Sequence, residues 1–120
     1  MSLVLTPAIL EAAYEFLRVC PPFKAWRLPP ADDVEFHVIA RPDREGEYTR
    51  YCGTDDHIIG ISGKRIGHTS SLIIAMAHEM IHLKQARAKT ETKGAEHNAE
   101  FGVLSKRVCR IHGWDEKVFC

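Results

Sequence analysis

The chain has 120 residues, the size of one ordinary domain, so we expect residues 1–120 to form a single domain around one core. Its sixteen Lys and Arg residues balance sixteen Asp and Glu residues, which excludes an overall charge that would attract nucleic acid or an anionic membrane. The opening residues contain no positively charged leader, and no apolar run is long enough to span a bilayer. We therefore expect a cytoplasmic, intracellular protein with no membrane partner.

The first predicted element is a helix that begins after Thr6 and ends before Pro21. Thr6 suits the N-cap, and Pro7 suits the first helical position, where the N–H that proline lacks would have no partner. Apolar residues then recur at helical spacing: Ile9, Leu10, Ala13, Tyr14, Phe16 and Leu17. This pattern predicts a helix that packs one side against the core.

Three short strands are predicted next. The segment VEFHVIA at residues 34–40 alternates apolar and polar side chains, as a half-buried strand does. The polar segment RPDREGE favours a turn, and the segments TRYCG at residues 49–53 and HIIGIS at residues 57–62 are rich in β-branched or aromatic residues. Because the connections are short, we expect a small three-stranded antiparallel sheet, arranged as a meander.

A long buried helix is predicted from Thr69 or Ser70 through the segment SSLIIAMAHEMIHLKQAR, which has no glycine or proline and is mostly apolar. After the polar stretch AKTETKG, a last helix is predicted from about Asn98 to His112, where Gly113 can end it. The expected fold is therefore α+β, with the sheet packed on an N-terminal helix, the long helix and a C-terminal helix.

The long helix contains AHEMIHLKQ at residues 77–85, in which His78 and His82 are four residues apart. Four helical residues turn the chain by about 400°, so both imidazoles leave the same face and can bind one metal ion. Glu79 is rotated from His78 by about 100°, which puts a carboxylate beside the pair, where it can accept a proton from water. The expected roles are two metal ligands and a general base.

A hydrolytic zinc site usually has three protein ligands and one open position, so a third ligand is needed. The metzincin pattern would place that ligand six residues after His82, but Ala88 occupies the position. The candidates further along the chain are Glu91, Glu96, His97, Glu100 and His112.

His97 is the favoured third ligand. Its position continues the inward-facing stripe of the last helix backward by one turn from Phe101, and three-ligand zinc sites prefer imidazole nitrogen where one is available. Glu100 stays open as an alternative ligand, or as an acceptor for the N–H of a ligand histidine, because it lies one helical turn after His97. Core histidines with partners inside the protein and no metal are the remaining structural interpretation.

These segments resemble the SprT-like zinc metallopeptidases, to which the DNA–protein crosslink protease Spartan also belongs. The likeness covers about the last two thirds of the chain and rests on HEMIHLKQ and on HNAEF at residues 97–101, where the family typically has H-G-x-E-F opening a helix. The resemblance implies a minimal zincin-like fold, Zn²⁺ bound by His78, His82 and His97, and Glu79 as the general base.

Two departures qualify the resemblance. Asn98 stands where the family usually has glycine, and asparagine tolerates capping or left-handed conformations. The sequence ends at Cys120 without the cysteine-ligated zinc module that follows the catalytic domain in many relatives. DNA is therefore only a weakly supported partner, resting on seven basic against three acidic residues from Lys84 to Arg110.

The sequence thus predicts a zinc metalloendopeptidase that hydrolyses peptide bonds in a protein or peptide substrate. An extended substrate is expected to pair with the strand at residues 57–62, on the premise that this strand lies at a sheet edge. The alternatives are a non-catalytic zinc-containing module that binds protein or DNA, and a hydrolase for a non-protein amide. Tyr48, Tyr51, His57 and His68 suit an oxyanion-stabilising role by type but not by spacing, so none is assigned, and the two histidines are expected at the surface.

Overall fold

Four α-helices and three strands make up the part of the chain that the computed structural model describes, residues 3–50 and 56–119. In chain order they are α1 (Pro7–Arg18), β1 (Val34–Ile39), β2 (Gly46–Arg50), β3 (His57–Ser62), α2 (Thr69–Ala88), α3 (Ala99–His112) and α4 (Glu116–Phe119). The predicted α+β class is confirmed. No helix within the described ranges is long and apolar enough to cross a membrane.

The first helix, α1, forms where its capping residues predict. The backbone of Thr6 is extended, and its hydroxyl accepts a hydrogen bond from the N–H of Ile9 at 3.2 Å. The buried face of α1 consists of Leu10, Ala13, Tyr14 and Leu17. The ring of Tyr14 packs against Phe36 on β1, with 5.3 Å between the ring centroids, so this helix covers the β1 side of the sheet.

The sheet has the strand order β1-β3-β2, with β1 parallel and β2 antiparallel to β3. The prediction of an antiparallel meander is therefore wrong in topology. The physical reason lies in β3, where every residue except Ile58 is buried. A strand that is buried on both faces belongs in the centre of a sheet, whereas β1 and β2 carry exposed polar residues and lie at the edges.

The central position of β3 also corrects the predicted substrate edge. Residues 34–39 pair with residues 57–62 on one side, and residues 46–50 pair with residues 57–61 on the other, so β3 offers no open edge to a substrate. Strand β2 begins three residues before the predicted TRYCG strand, within the segment predicted as a turn. Residues 51–53, which complete that predicted strand, lie outside the described residues.

Helix α2 is the central element and packs against α1, β2, β3 and α3. Eleven of its residues are buried, and they surround the helix, as expected for a helix covered on several sides. It ends at Ala88, where Lys89 takes a left-handed conformation at φ 59°. Helix α3 then begins after Asn98, whose side chain accepts from the N–H of Phe101 at 3.0 Å, and ends at Gly113 with φ 74°, as predicted.

Candidate metal centre

His78 and His82 on α2 and His97 just before α3 come together in the structure, and we call them the histidine cluster. One nitrogen from each ring lies within 4.8 Å of the corresponding nitrogens of the other two, and within the described ranges this is the one such group of metal-ligating side chains. The ring centroids are 5.2 Å apart for His78 and His82, 4.9 Å for His78 and His97, and 5.3 Å for His82 and His97. Three imidazoles at these distances can share one cation.

Phe101 on α3 supports all three rings of the cluster. Its ring centroid lies 5.0 Å from that of His78, 4.7 Å from that of His82 and 4.2 Å from that of His97. The rings of Phe101 and His97 are nearly parallel, at 12°. Because Phe101 is fully buried whereas His97 is exposed, the phenyl ring fixes one side of the histidine and leaves the other side open to the solvent.

Two nitrogens of the cluster are available to a metal ion. The Nδ1 of His78 lies 3.1 Å from the carbonyl oxygen of Phe119, to which it can donate, so that Nε2 keeps its lone pair. The Nε2 of His82 is buried, and it is the one buried side-chain nitrogen or oxygen among the described residues with no hydrogen-bond partner. Such an atom costs about 1–3 kcal/mol when nothing binds it, so the donor set fits a bound cation.

Burial keeps the two helix histidines neutral. Burial and, to a smaller extent, the neighbouring His78 and His97 lower the pKa of the His82 imidazole to about 4. Burial also lowers the pKa of His78, against the opposing effect of the Phe119 carbonyl. Neutral imidazoles present lone pairs at pH 7, which is the state that binds a metal ion.

Glu79 lies beside the cluster with only 5 % of its surface exposed. Burial and, to a smaller extent, the charges of Glu96 and Glu47 raise the pKa of its carboxyl group to about 8. A cation held by the three histidines would oppose that effect, because a nearby positive charge favours the ionised carboxylate. The group is therefore a strong proton acceptor whose charge depends on what the cluster binds.

Strand β2 passes directly over this carboxylate at Gly46. A Cβ atom at position 46 would lie 3.1 Å from Oε2 of Glu79 and 2.9 Å from the carbonyl oxygen of Gly60. Such contacts are closer than carbon and oxygen atoms normally approach, so this position requires glycine for space. The glycine brings the backbone of an edge strand next to the expected general base.

Two open cavities flank the cluster. The larger, about 430 Å³, is lined by His78, Glu79 and His97 together with Gly46 and Phe119, among others. The smaller, about 120 Å³, lies on the side of His82 and is also lined by Tyr48. Glu96 lines both cavities, so both lie against the connection between α2 and α3.

Glu100, the rival third ligand, lies outside the histidine cluster. Its Oε1 accepts hydrogen bonds from the Gln85 amide at 2.9 Å and from the Thr90 hydroxyl, and these two donors hold the pKa of its carboxyl group below the ordinary value. The same Gln85 amide also donates to Oδ1 of Asn98 at 2.9 Å. We call these four residues the Gln85 cluster, and it ties the end of α2 to the start of α3.

The other candidates for the third ligand also lie outside the histidine cluster. Glu91 and Glu96 are exposed in the connection between α2 and α3. The Nε2 of His112 lies 2.7 Å from the carbonyl oxygen of Pro21, and its ring stacks on Trp114 with 4.8 Å between centroids. His112 therefore makes its contacts at the C-terminal end of α3, whereas His97 lies at the N-terminal end.

The residues considered for an oxyanion role occupy different environments. The hydroxyl of Tyr48 shares a hydrogen bond of 2.5 Å with Nδ1 of His57, and burial raises the pKa of that hydroxyl. His57 is only 4 % exposed, so its predicted surface position is wrong, because it begins the buried central strand. His68 is exposed at the N-cap of α2, as predicted, and Tyr51 lies outside the described residues.

No protein-family model matches the chain, and no curated protein matches it significantly. The sequence resemblance to the SprT-like metallopeptidases therefore stays an expectation. The features that distinguish the site within the described residues are three converging imidazoles, one buried nitrogen without a hydrogen-bond partner, and a buried carboxylate beside an open cavity.

Proposed function

We propose that this protein is a zinc-dependent metallopeptidase that hydrolyses peptide bonds. The observation that carries the proposal is the convergence of His78, His82 and His97 beside Glu79, with the buried Nε2 of His82 lacking any partner inside the described protein. The motif spacing and the resemblance to SprT-like metallopeptidases favour the same function.

The three histidines are the residues that would hold zinc, with Nε2 as the ligand atom of His78 and His82. A structural zinc site normally has four protein ligands, whereas three ligands leave one position for water or substrate. Among the described residues the group has three members, which favours a catalytic site over a structural one. When bound, zinc would polarise the scissile carbonyl group and lower the pKa of water at the open position.

Glu79 supplies the proton transfers in this proposal. Its carboxylate accepts the proton of the attacking water and delivers it to the nitrogen of the leaving amine. Burial suits this role, because it raises the basicity of the carboxylate and limits the number of water molecules that compete for it. The close backbone of Gly46 restricts where the carboxylate can move.

The outer side of β2 is the edge where we place an extended substrate. This strand pairs with β3 on one side, and no described strand pairs with its other side. It runs from Gly46, next to Glu79, to Arg50, whose guanidinium donates to the carbonyl of Ala86 on α2 at 3.0 Å. A peptide paired with this strand would pass along the face of α2 that carries the histidines.

The test compares wild type with Glu79→Gln on an unfolded protein substrate, at equal zinc content. We expect wild type to cleave it and Glu79→Gln to keep zinc but lose about 10²- to 10⁴-fold in rate, the usual contribution of a general base. Glu11→Gln, which removes an exposed carboxylate on α1, is the matched control and should retain the wild-type rate.

A parallel assay with single-stranded DNA separates the remaining alternatives. Cleavage only in the presence of DNA would add DNA as a partner of the peptidase. A fully zinc-loaded wild type that cleaves nothing, with or without DNA, would contradict the proposed activity and favour a non-catalytic zinc-containing module.

A further inference from the structure

We propose that Phe119 is a positioning residue of the metal centre, acting through its backbone carbonyl. That carbonyl fixes the ring of His78 with the proton on Nδ1 and so directs Nε2 toward the position shared with His82 and His97. The inference rests on the metal centre of the proposed function but not on the peptidase reaction, so the two can fail separately.

The contact joins residues that are 41 positions apart in the chain. The carbonyl oxygen of Phe119 lies 3.1 Å from Nδ1 of His78, and the two ring centroids are 5.6 Å apart. Phe119 is only 3 % exposed, and it lines the cavity that also contains Glu79. The end of α4 is thus packed against the first histidine of the motif.

Local structure after α3 brings the chain back to that histidine. Gly113 ends α3 in a left-handed conformation, and the N–H of Trp114 donates to the carbonyl of Cys109 at 2.9 Å. The carboxylate of Asp115 accepts a hydrogen bond from the N–H of Lys117 at 2.9 Å. The backbone carbonyl of Asp115 accepts one from the N–H of Phe119 at 3.1 Å. These bonds hold the single turn of α4 in a defined place.

Aromatic packing anchors the same segment. The ring of Phe119 lies 6.0 Å from that of Trp114, which in turn stacks on His112 of α3. The buried ring and the hydrogen bond from the Phe119 N–H place the backbone of Phe119 beside His78, so that its carbonyl oxygen can accept from Nδ1.

A fixed acceptor matters because a neutral imidazole has two tautomers. Without it, a fraction of the molecules would present an N–H at Nε2, which cannot bind a metal ion. An acceptor at Nδ1 selects the useful tautomer, fixes the ring rotation and raises the basicity of Nε2. The loss of such an outer contact typically weakens metal binding by about 10- to 100-fold.

The experiment compares wild type with Phe119→Ala, which frees the carbonyl, and Phe119→Leu, which keeps an apolar side chain to hold it. Long-range proton–nitrogen NMR correlation of the metal-free proteins near pH 7.5 reports the tautomer of His78, and chelator competition gives the zinc affinity. We expect the Nδ1–H tautomer in wild type and Phe119→Leu. In Phe119→Ala we expect mixed tautomers and zinc binding weakened by about 10- to 100-fold.

Phe36→Ala is the matched control, since Phe36 is a partly buried phenylalanine on β1 whose ring packs against Tyr14, away from the Trp114 stack and the three histidines. It should keep the tautomer of His78 and the zinc affinity. A folded Phe119→Ala protein with unchanged tautomer and zinc affinity would overturn the proposal. Should Phe119→Ala not fold, an Nε2–H tautomer of His78 in metal-free wild type would overturn it equally.

Discussion

The histidine cluster and the Gln85 cluster lie about one helical turn apart on α2 and differ in how their buried polar atoms are satisfied. In the Gln85 cluster, the buried Gln85 amide donates to both Asn98 and Glu100. In the histidine cluster, the buried Nε2 of His82 has no partner among the described residues. Both groups lie between the same two helices, so burial alone does not explain the difference.

The difference separates a cluster whose hydrogen bonds join two helices from one whose donor atoms fit a bound cation. Gln85, Thr90, Asn98 and Glu100 close the connection between α2 and α3, and Asn98 caps α3 directly after His97. The satisfied cluster therefore holds the third histidine in place. The buried nitrogen of the histidine cluster lowers the stability of the metal-free protein, because it has no hydrogen-bond partner there. A bound cation would offset that loss.

Substitutions in the two clusters should differ most in their effect on zinc affinity. His97→Ala should weaken zinc binding by more than about 100-fold, because it removes one of the three proposed ligands, whereas even outer contacts are worth about 10- to 100-fold. Glu100→Ala should weaken zinc binding by less than about 10-fold, because it loosens the connection without removing a ligand. Chelator competition measures both values, and the reverse order would make Glu100 the ligand.

A second comparison uses the stability of the metal-free protein. Gln85→Leu should lower the free energy of unfolding by about 1–3 kcal/mol, because Asn98 and Glu100 each lose a buried donor. His82→Leu replaces a nitrogen without a partner by an apolar group of similar size and should cost little or stabilise the protein. Denaturant unfolding with a chelator present tests both. An equal cost for the two variants would support core histidines that have partners inside the protein.

The contribution of Glu100 to the free energy of unfolding should be small and should depend on pH. Hydrogen bonds from Thr90 and Gln85 hold the pKa of Glu100 below its ordinary value of 4.5, so the folded state binds this proton less tightly than the unfolded state. The stabilisation is fully present above pH 4.5 and is lost as the pH falls through the folded pKa. Glu100→Ala should therefore lower the free energy of unfolding by about 1 kcal/mol at pH 7 and by less at pH 3.

The exposed Glu11 on α1 provides the control for this pH dependence. Denaturant unfolding at pH 7 and at pH 3 measures both variants, and Glu11→Ala should change the free energy of unfolding little at either pH. A constant difference between wild type and Glu100→Ala from pH 7 to pH 3 would show that the charge of Glu100 does not contribute, and the hydrogen-bonding account of the Gln85 cluster would then be wrong.

Local sequence signals predict those parts of the fold that local interactions determine. Thr6 with Pro7 and Asn98 with Gly113 mark helix ends that the structure reproduces. The stripe through Phe101 predicts that His97 lies over α2, and the contacts of its ring with His78 and His82 confirm that position. The short connections between the strands suggested the wrong strand order. The better signal is the mostly apolar segment at residues 57–62, which indicates a strand at the centre of the sheet.

The remaining parts of the site depend on contacts between distant segments. Phe119 meets His78 only because α4 folds back after Gly113, and no spacing rule relates positions 78 and 119. Gly46 approaches Glu79 only because β2 is an edge strand beside α2, and its segment reads as an ordinary polar turn in the sequence. Such contacts follow from topology, which single-sequence patterns do not determine.

X-ray absorption at the zinc edge, on wild-type protein reconstituted with zinc, tests the histidine cluster most directly. We expect about one zinc per chain, bound by three imidazole nitrogens and one further oxygen or nitrogen at about 2.0–2.1 Å. Sulfur neighbours at about 2.3 Å, or a protein that binds no zinc when its histidines are neutral, would contradict it.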